Sequence, residues 1–448
     1  MNEKLEKFKG AMRGKTAALI GFGVSNRAAA RFFSGAQMTV TAYDNKVSDD
    51  ARDAAHEMRI ELIECEKFEN IDADIVLRSP GVRPDAINVS RGKLSSEMEL
   101  FVSLCPCPIY TVTGSDGKTT TTTLISKMLE AEFKDTSRRV WLGGNIGTPL
   151  LPEIENIGEG DACVLELSSF QLMTMNFSPR VAVVTNVSPN HLNWHTSMSE
   201  YVAAKRRIFE NQTADCRLVI NAENDITSSF AADARGEVRR FSSKNPADAE
   251  LRDRAIYVGD RRIIPTSEIM IPGVYNAENI MAASLAVDGV VSDENIALVA
   301  KTFRGVPHRA ELVLESGGVK YYNSSIDTSP TRTIAALSAL GEKVILIVGG
   351  YDKHIPLEPL IMPLKEKTKA IFCTGDTGKA ICEMMKNAGY GGDISYVPDF
   401  DEAVTQAVQS ARSGDIVLLS PAAASFDRFK NFEERGERFK EILKNLNK

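Results

Sequence analysis

The stretch that decides the fold is TVTGSDGKTTTTTLISKML at positions 111–129. Its β-branched start predicts a buried strand, and its end has the residue spacing of a helix. Between them lies the segment GSDGKTT (114–120), whose backbone N–H groups at a helix N-terminus can cradle phosphate oxygens. The sequence therefore predicts a strand–loop–helix unit that binds the phosphates of a nucleotide.

The residue types of this loop fit that chemistry. Lys118 would neutralise the β- and γ-phosphates, and the Thr119 hydroxyl could reach Mg²⁺. Only two residues separate the glycines, fewer than in the common phosphate-binding motif, and a plain strand–helix turn is the competing interpretation. The pattern by itself does not choose among a kinase, an NTPase and a ligase. The candidate ATP-binding residues of the loop are Gly114, Ser115, Asp116, Gly117, Lys118, Thr119 and Thr120.

Outward from this loop, short β-branched runs alternate with longer amphipathic stretches. Most of the runs end in Gly, Ser, Asn or Asp, which is typical of parallel sheets covered by helices. The pattern predicts an α/β fold of three domains in series, with boundaries near 105 and 306. The strand-like runs cover 16–23, 38–44, 73–81, 108–115, 161–168, 180–188, 217–225, 342–350, 369–375 and 415–421.

A second glycine-rich segment, GFGVSN (21–26), follows the first predicted strand, and Asp44 closes the next one. This resembles the dinucleotide fingerprint, but Asn26 stands where the third glycine is expected. NAD binding, simple packing, and binding of another nucleotide or a sugar-nucleotide diphosphate all remain open. The segment RSPG (78–81) ends the third strand-like run and could face the same crevice.

Composition excludes several classes of protein. At 448 residues the chain needs two to four domains, and its net charge of −7 argues against a general nucleic-acid binder. No apolar run is long enough for a membrane span, and the charged N-terminus lacks the apolar region of a signal peptide. The seven cysteines are scattered, with Cys105 and Cys107 the closest pair. Reduced structural thiols and a cytoplasmic location are expected.

Seven further motifs follow the loop in a fixed order, and together with it they resemble the Mur ligase family. The last of them resembles the members that add D-glutamate in particular. The resemblance begins at GFGVS in the N-terminal part and covers nearly the whole chain. The motifs are GGNIGTPL (143–150), ELSSFQL (166–172), NVSPNHLNWH (186–195), YVAAKRRIF (201–209), YNAEN (275–279), VPHRAE (306–311) and LLSPAAASFDRFKNFEERGERF (418–439).

The resemblance implies a Rossmann-like UDP-sugar-binding domain at 1–105 and a P-loop-type ATPase domain at 106–305. A Rossmann-like C-terminal domain at 306–448 would contribute to ATP and amino-acid binding. The implied reaction adds D-glutamate to UDP-N-acetylmuramoyl-L-alanine through an acyl phosphate, giving ADP and phosphate, in peptidoglycan synthesis. The implied cofactors are ATP and Mg²⁺, with two ions, and the enzyme is expected to be a cytoplasmic monomer.

The resemblance also implies the catalytic residues. Lys118 matches a contact to the β- and γ-phosphates, while Thr119 and Glu166 match ligands of one Mg²⁺. His191 and Lys205 match positions at a second Mg²⁺, the lysine as a carbamate, which supplies the hard oxygen that Mg²⁺ prefers. Without the resemblance, Glu166 would be a surface or capping carboxylate, His191 a loop residue, and Lys205 a solvated charge on a helix.

The remaining implied contacts fall into three groups. Ser425 could instead be the N-cap of a helix. His308 is a further candidate functional residue, or, as the neighbour of Arg309, it could have a conformational role only. Further ATP contacts are Asn276, Asn279 and Arg309. UDP-sugar contacts are Val24, Ser25, Asp44, Ser79, Pro80, Gly81, Asn145 and His191. D-glutamate contacts are Thr328, Lys353, Ser425 and Phe432.

One segment departs from the family pattern. In NSSIDTS (323–329), Ser324 and Ile326 stand where an acidic residue and a lysine are common, and Asp327 is shifted along the chain. This puts the nucleotide contacts at this point, and with them the rate of turnover, in question. The competing functions are a related ligase for another amino acid or a folate tail, a non-catalytic nucleotide sensor, a kinase, and a dehydrogenase.

Overall fold

The computed structural model describes residues 2–191, 194–271, 273–353 and 355–446. These residues form three sheets flanked by helices. The chain divides into two compact units between Thr302 and Phe303; the first holds two of the sheets and the second holds the other. The predicted α/β fold is confirmed. The domain boundaries near 105 and 306 stay predictions.

The first sheet contains the N-terminal glycine-rich segment. Its elements are α1 (Glu3–Met12), β1 (Thr16–Ile20), α2 (Val24–Gly35), β2 (Thr39–Asp44), α3 (Asp49–Met58), β3 (Glu61–Glu64), β4 (Phe68–Arg78), β5 (Ile87–Ser95) and α4 (Glu97–Leu104). The strand order is β3-β2-β1-β4-β5, and the pairings are parallel. The order reverses between β1 and β4, and α/β sheets bind ligands at the carboxyl side of such a reversal.

The second sheet, the central sheet, contains the phosphate loop. Its elements are β6 (Ile109–Thr113), α5 (Lys118–Phe133), β7 (Val140–Gly144), β8 (Ala162–Glu166), α6 (Ser169–Leu172), β9 (Val181–Val184), α7 (Met198–Arg206), β10 (Arg217–Asn221), α8 (Asp225–Ser229), β11 (Glu237–Ser242), β12 (Ala249–Arg252), β13 (Ala255–Val258), β14 (Arg261–Pro265), α9 (Val274–Val287) and α10 (Asp293–Thr302). The strand order is β14-β13-β12-β11-β10-β9-β6-β8-β7.

The third sheet belongs to the second unit. Its elements are β15 (Glu311–Ser316), β16 (Val319–Asn323), α11 (Pro330–Leu340), β17 (Val344–Val348), α12 (Ile361–Lys367), β18 (Thr368–Cys373), α13 (Gly375–Asn387), β19 (Asp393–Tyr396), α14 (Phe400–Ser410), β20 (Ile416–Leu419) and α15 (Phe432–Leu446). The order is β15-β16-β20-β17-β18-β19, and β15 runs antiparallel to β16.

Every strand-like run picked out in the sequence contains a strand. The sequence patterns did not predict the strands at and next to the ends of the sheets, above all β14 at one end of the central sheet and its neighbours β13 and β12, which pair antiparallel in turn. These strands mix exposed or half-buried residues with buried ones, so they lack the continuous apolar run of a covered strand, and local hydrophobicity signals them weakly. Over the part of the chain that the structure describes, no helix is both long and apolar enough to cross a membrane.

Covered strands position the loops at the carboxyl edge of the central sheet. Every residue of β6, β8 and β9 is buried, as parallel strands between helical layers require. In the β6–β8 pairing, Val112 is opposite Glu166, so the phosphate loop begins beside the end of β8. The rigid sheet therefore holds the candidate site residues on neighbouring strand ends.

Candidate active site

The phosphate loop connects β6 to the first turn of α5. Gly117 precedes the helix with a left-handed backbone, φ +77°. The loop is fastened to the end of β9, because Asn186 accepts from the Ser115 N–H through its carbonyl and from the Asp116 N–H through its side chain, both at 2.9 Å. The first N–H groups of α5 have no partner within the helix, which makes this end suited to an anion.

Close packing explains both loop glycines. A Cβ on Gly114 would lie 1.9 Å from Thr185 Oγ1, and one on Gly117 would lie 2.4 Å from Asn279 Oδ1. Both have positive φ, which other residues rarely adopt. The same geometry places the predicted ATP contact Asn279, on α9, directly against the loop. Asn276 is half-buried one turn earlier on that helix.

Lys118 folds back over the loop that it follows. Its Nζ donates to the carbonyls of Gly114 at 3.0 Å and Ser115 at 2.9 Å. Thr119 is buried in the first turn of α5, whereas Thr120 is half-buried and Asp116 is exposed. The predicted loop residues thus form one compact group around the helix N-terminus.

Glu166 ends β8 beside this loop and is 1% exposed. Its Oε1 accepts from Asn145 Nδ2 at 2.8 Å, and its carbonyl accepts from the Asn145 N–H at 2.8 Å. Among the described residues, nothing donates a hydrogen bond to its buried Oε2. A buried carboxylate oxygen without a partner is costly unless a ligand completes it.

Lys205 reaches the same loop from α7 and is 1% exposed. Its Nζ donates to Gly114 O at 2.7 Å and lies 4.6 Å from the centre of the Tyr201 ring. Burial, and then the nearby Lys118 charge, lower the pKa of Lys205 well below its usual value. The Tyr201 hydroxyl in turn bonds Ser115 Oγ at 2.9 Å, so α7 and the loop are joined twice.

His191 lies in an aromatic cluster and is exposed. Its ring is 5.1 Å from the Phe170 ring, and the Phe170 ring is 4.3 Å from Trp194. The backbone of His191 is left-handed, φ +55°. Leu192 and Asn193 of the NHLNWH motif lie outside the described residues. His191 lies in the segment between β9 and α7. Its predicted role as a metal ligand stays a prediction.

The predicted UDP-sugar residues surround the strand reversal of the first sheet. Asp44 Oδ2 accepts from the Phe22 N–H at 2.7 Å, and the Ser79 N–H donates to Ile20 O at 2.7 Å, so the two loops meet. Buried Asn26 donates to the carbonyl of Gly21 at 2.7 Å. Asn26 therefore closes the loop by a hydrogen bond where a glycine would close it by packing. The predicted residues on this edge are Val24, Ser25, Asp44, Ser79, Pro80 and Gly81.

In the second unit, predicted residues lie on loops at the carboxyl edge of the third sheet. The Tyr351 N–H donates to Ala424 O at 3.0 Å, which brings the loops of Lys353 and Ser425 together. Lys353 is exposed, and its Nζ lies 5.9 Å from the centre of the exposed Phe426 ring. Ser425 is 2% exposed, and its carbonyl accepts from the Phe429 N–H at 2.8 Å.

Phe432 and Thr328 occupy other parts of that edge. The Phe432 ring is 6.1 Å from the ring of buried His308, next to Arg309. Thr328 is half-buried after β16, and within the described parts of the unit no hydrogen bond joins it to Lys353, Ser425 or Phe432. The four predicted D-glutamate residues share an edge but do not form one bonded group.

The altered segment NSSIDTS is folded inward. Asp327 is buried, and its Oδ2 accepts from Ser420 Oγ at 2.8 Å. Burial raises the pKa of Asp327 to about 6. The Ser324 Oγ accepts from the Ala310 N–H at 3.1 Å. The shifted Asp327 is therefore hydrogen-bonded inside the second unit, at the carboxyl edge of the third sheet.

Comparison with known proteins places these features in a family. The Mur ligase middle domain matches residues 112–287, and the Mur ligase, glutamate ligase domain matches residues 308–423. A protein of Acetivibrio thermocellus named UDP-N-acetylmuramoylalanine--D-glutamate ligase is 46% identical over 478 aligned positions, covering 100% of both chains. A protein of the same name from Clostridium perfringens is 45% identical over 463 positions, again covering 100% of both chains. The chain belongs to the Mur ligase family.

Solved structures agree with this assignment at the level of the fold. The crystal structure of UDP-N-acetylmuramate-alanine ligase from Thermotoga maritima has a TM-score of 0.58 and 19% identity, and covers 96% of this chain and 100% of that chain. E. coli FolC in complex with DHPP and ADP has a TM-score of 0.54 and 17% identity, covering 78% and 91%. At such identities the similarity shows the Mur ligase fold alone.

Mur ligases use ATP, and ATP use is generally accompanied by Mg²⁺. The residues at the central edge fit such an ion, because Mg²⁺ prefers oxygen ligands. Glu166 offers its buried Oε2, which has no donor within the described ranges, and Thr119 offers a hydroxyl in the adjacent helix turn. Lys205 fits only after its amine has been converted to an oxygen donor.

Two arginines were not selected from the sequence although they flank SPG in RSPGVR (78–83). Arg78 is 1% exposed and donates to Phe170 O at 2.5 Å and to Thr174 Oγ1 at 3.2 Å. Burial lowers the pKa of Arg78 to about 10, so it stays charged at neutral pH. It joins the first sheet to the Mur ligase motif ELSSFQL. An arginine next to a glycine-bounded loop was the available signal.

Arg83 makes a second link of this kind. It donates to Trp194 O at 2.7 Å and to a Glu200 carboxylate oxygen at 3.0 Å. That bond, and then the Thr196 N–H, lower the pKa of Glu200 to about 2. Glu200 Oε2 also lies 3.3 Å from His195 Nδ1, while His195 Nε2 lies 2.9 Å from Ser169 Oγ. Arg83 thus fixes the segment that follows His191.

Proposed function

We propose that this Mur ligase joins the amino group of D-glutamate to the carboxylate of UDP-N-acetylmuramoyl-L-alanine, using ATP and releasing ADP and phosphate. The product would be a peptidoglycan precursor. The observation that carries this proposal is the convergence of Lys118, Glu166 and Lys205 on one loop. It occurs in a chain similar over its full length to proteins named as that ligase.

The chemistry requires an activated carboxylate, because a free carboxylate resists attack by an amine. Transfer of the γ-phosphoryl group to that carboxylate makes an acyl phosphate, from which the amine then displaces phosphate. The loop N–H groups and Lys118 would bind the β- and γ-phosphates and stabilise the charge that develops on them. When bound, Mg²⁺ supplies further positive charge, with one ion on Thr119 and Glu166 and a second on His191 and Lys205.

Lys205 would act as a carbamate. Its burial and the adjacent Lys118 disfavour an ammonium group. A neutral amine attacks CO₂, loses a proton, and becomes an N-carboxylate whose oxygens suit Mg²⁺. The contact of Nζ with Gly114 O supports the proposal, since a modified side chain would remain beside the phosphate loop.

We assign UDP-sugar binding to residues 1–105, the ATPase function that supplies the phosphoryl group to 106–305, and parts of ATP and amino-acid binding to 306–448. The crevice of the first sheet supports the first assignment. Helix α2 begins at Val24, so the N–H groups of Val24 and Ser25 can bind a diphosphate. Ser79, Pro80 and Gly81 form the facing loop. Asp44 shapes that crevice through its bond to Phe22, and Asn145 would contact the sugar substrate beside Glu166.

The remaining assignments concern the nucleotide and D-glutamate. Asn276, Asn279 and Arg309 would contact the nucleotide. The exposed Lys353 cation, with Thr328, Ser425 and Phe432, would hold D-glutamate, because its two carboxylates need a cation and hydroxyl donors.

We also propose that the enzyme is cytoplasmic, because its reaction consumes ATP and a UDP-sugar. The monomeric state is a prediction, and light scattering coupled to size-exclusion chromatography would test it. A dimer mass at micromolar concentration would contradict it.

The function is tested by phosphate release from ATP and Mg²⁺ with UDP-N-acetylmuramoyl-L-alanine, with and without D-glutamate, and by the product mass. We expect release that depends on both substrates and a product heavier by one glutamyl residue. Turnover with another amino acid only would keep the ligase class and change the specificity. ATP binding without any turnover would favour a nucleotide sensor and implicate NSSIDTS (323–329).

A further inference from the structure

Three buried thiols meet at a point that the proposed ligase reaction does not use. The Sγ atoms of Cys105 and Cys107 are 3.6 Å apart, and Cys163 Sγ lies 3.5 Å from the first and 3.4 Å from the second. Cys163 is 0% exposed, and the other two are 3% and 6% exposed. Cys105 and Cys107 are close together in the sequence, whereas Cys163 joins them from a strand 56 residues beyond Cys107. We name Cys105, Cys107 and Cys163 the thiol cluster.

The thiol cluster lies at the amino edge of the central sheet. Cys105 follows α4, Cys107 precedes β6, and Cys163 is the second residue of β8. The Cys163 N–H donates to Pro108 O at 3.0 Å, which holds the segment before β6 against β8. Glu166 is three residues further along β8, about 10 Å away at 3.3 Å per residue. The cluster is therefore separate from the carboxyl edge.

The sulfur triangle has the size needed for a bound metal ion. With Zn–S bonds of about 2.3 Å, an ion over this triangle would lie about 1.1 Å above its plane, with S–Zn–S angles of about 100°. A regular tetrahedron has S···S distances of about 3.8 Å, so each sulfur would need to move by only about 0.2 Å. Thiolates are soft ligands that select Zn²⁺ and Cu⁺ over Mg²⁺.

Two residues of the thiol cluster line a pocket. It has a volume of about 540 Å³, and its lining includes Cys105, Cys107, Cys216 and Lys4. Water from the pocket can complete a fourth ligand position. The described residues contain one group of three or more His, Cys, Asp or Glu side chains whose ligand atoms all lie within 4.8 Å of one another, and that group is the thiol cluster.

We propose that Cys105, Cys107 and Cys163 bind one Zn²⁺ ion, which fastens the segment between α4 and β6 to β8. Binding would release the thiol protons, because the thiolate is the ligand. The ion would stabilise the folded first unit without taking part in ligation. Binding to the folded state alone raises the midpoint of thermal unfolding.

The first test is titration of the reduced full-length protein with Co²⁺, followed by competition with Zn²⁺. We expect thiolate-to-cobalt charge-transfer absorption that saturates at one ion per chain and disappears when Zn²⁺ is added. Cys107→Ser should weaken Zn²⁺ binding about 100-fold or more, since loss of groups that merely orient ligands costs 10- to 100-fold. Cys216→Ser is the matched control, because its thiol lines the same pocket but lies outside the cluster.

The second test uses the unaltered protein and so does not depend on a variant that folds. We expect Zn²⁺ to slow alkylation of Cys105 and Cys107, read by peptide mass spectrometry, and to leave Cys216 unchanged. Absence of the cobalt–thiolate bands, equal bands in Cys107→Ser, or equal protection of Cys216 would each overturn the proposal. The proposal would also be overturned if the protein took up no metal and a small disulfide reagent rapidly oxidised two of the cluster thiols.

Discussion

The carboxyl edges of the central and third sheets each contain a buried cation, but the two cations are bonded differently. At the central edge, Lys205 donates to Gly114 O and is 3.5 Å from Thr113 Oγ1. At the third-sheet edge, Arg435 donates to Ser325 Oγ, Ser325 O, Ala424 O and Ala423 O at 2.9–3.2 Å. Lys205 therefore makes one short hydrogen bond and one at 3.5 Å with its three N–H donors, whereas Arg435 uses four of its five N–H donors within its own unit.

The neighbours of the two cations differ in the same way. Beside Lys205, Glu166 Oε2 lacks a hydrogen-bond donor within the described residues. Near Arg435, Asp327 and Ser420 bond each other. Because buried polar groups are costly unless partnered, unused capacity indicates a place for a ligand, whereas saturation indicates a structural role. The two edges therefore predict different results for mutation.

The largest effect is expected for Lys205→Ala. It should lower the rate of ligation by about 100- to 1,000-fold, because it removes the carbamate that we propose as a Mg²⁺ ligand. Formate or acetate should restore part of the rate by supplying the lost carboxylate. The midpoint of thermal unfolding should change little, since few bonds are lost. Arg206→Ala, on the same helix with an Asp233 ion pair, is the control; unchanged activity in Lys205→Ala would refute the catalytic role.

Arg435→Met should have the opposite effect, a clear loss of stability with little change in the rate of ligation. It leaves buried carbonyls without donors, so the free energy of unfolding of the second unit should fall by about 3 kcal/mol. Urea denaturation would measure this. Arg438→Met, which removes a half-exposed ion pair with Asp401, should cost less than about 1 kcal/mol. Equal losses in the two variants would remove the basis for calling Arg435 structural.

Glu97 tests whether every unbonded buried oxygen indicates a ligand. Its Oε1 has no donor among the described residues, yet it lies in the first turn of α4, outside the two groups of residues compared above. Burial raises the pKa of Glu97 from 4.5 to about 7. The folded state therefore holds its proton more tightly, and the associated stability, complete below pH 4.5, is lost as the pH rises through 7.

Glu97→Gln removes that pH dependence. The free energy of unfolding of Glu97→Gln minus that of the unaltered chain should increase by about 3 kcal/mol between pH 4.5 and pH 8. Denaturation of both proteins at the two pH values would measure the change. A constant difference would show that the Glu97 carboxylate has a partner at high pH. Glu97 would then no longer be an example of an unbonded buried oxygen outside a ligand site.

Asn145→Ala should give the smallest effect. Asn145 supplies the bond to Glu166 Oε1, so its loss should raise the Mg²⁺ concentration needed for half-maximal rate by about tenfold. If Asn145 makes only the proposed contact with the sugar substrate, KM for UDP-N-acetylmuramoyl-L-alanine should rise while the Mg²⁺ dependence stays unchanged. Kinetics with each varied separately distinguish the two roles.

Sequence patterns predicted the parts of the molecule that depend on neighbouring residues. The β6–loop–α5 unit was predicted because strand, glycines and helix are contiguous, and Gly114 and Gly117 indeed have positive φ. The α/β fold followed from the repeated strand–helix alternation. These signals are local, so a single sequence carries them.

Contacts between distant segments were not predictable in this way. Cys163 joins Cys107 across 56 residues, and Arg78 reaches Phe170 across 92. No periodicity encodes which strand end meets which loop. The exposed or buried state of Lys205 was equally hidden, because a lysine on a helix is ordinarily solvated.

The most direct test follows oxygen from substrate to phosphate. UDP-N-acetylmuramoyl-L-alanine labelled with ¹⁸O in its carboxylate is incubated with ATP, Mg²⁺ and D-glutamate, and the released phosphate is analysed by mass spectrometry. The account predicts one ¹⁸O per phosphate, because the amine displaces the phosphate that carries the former carboxylate oxygen. Phosphate without the label would mean that water attacks ATP directly, and it would contradict ligation through an acyl phosphate.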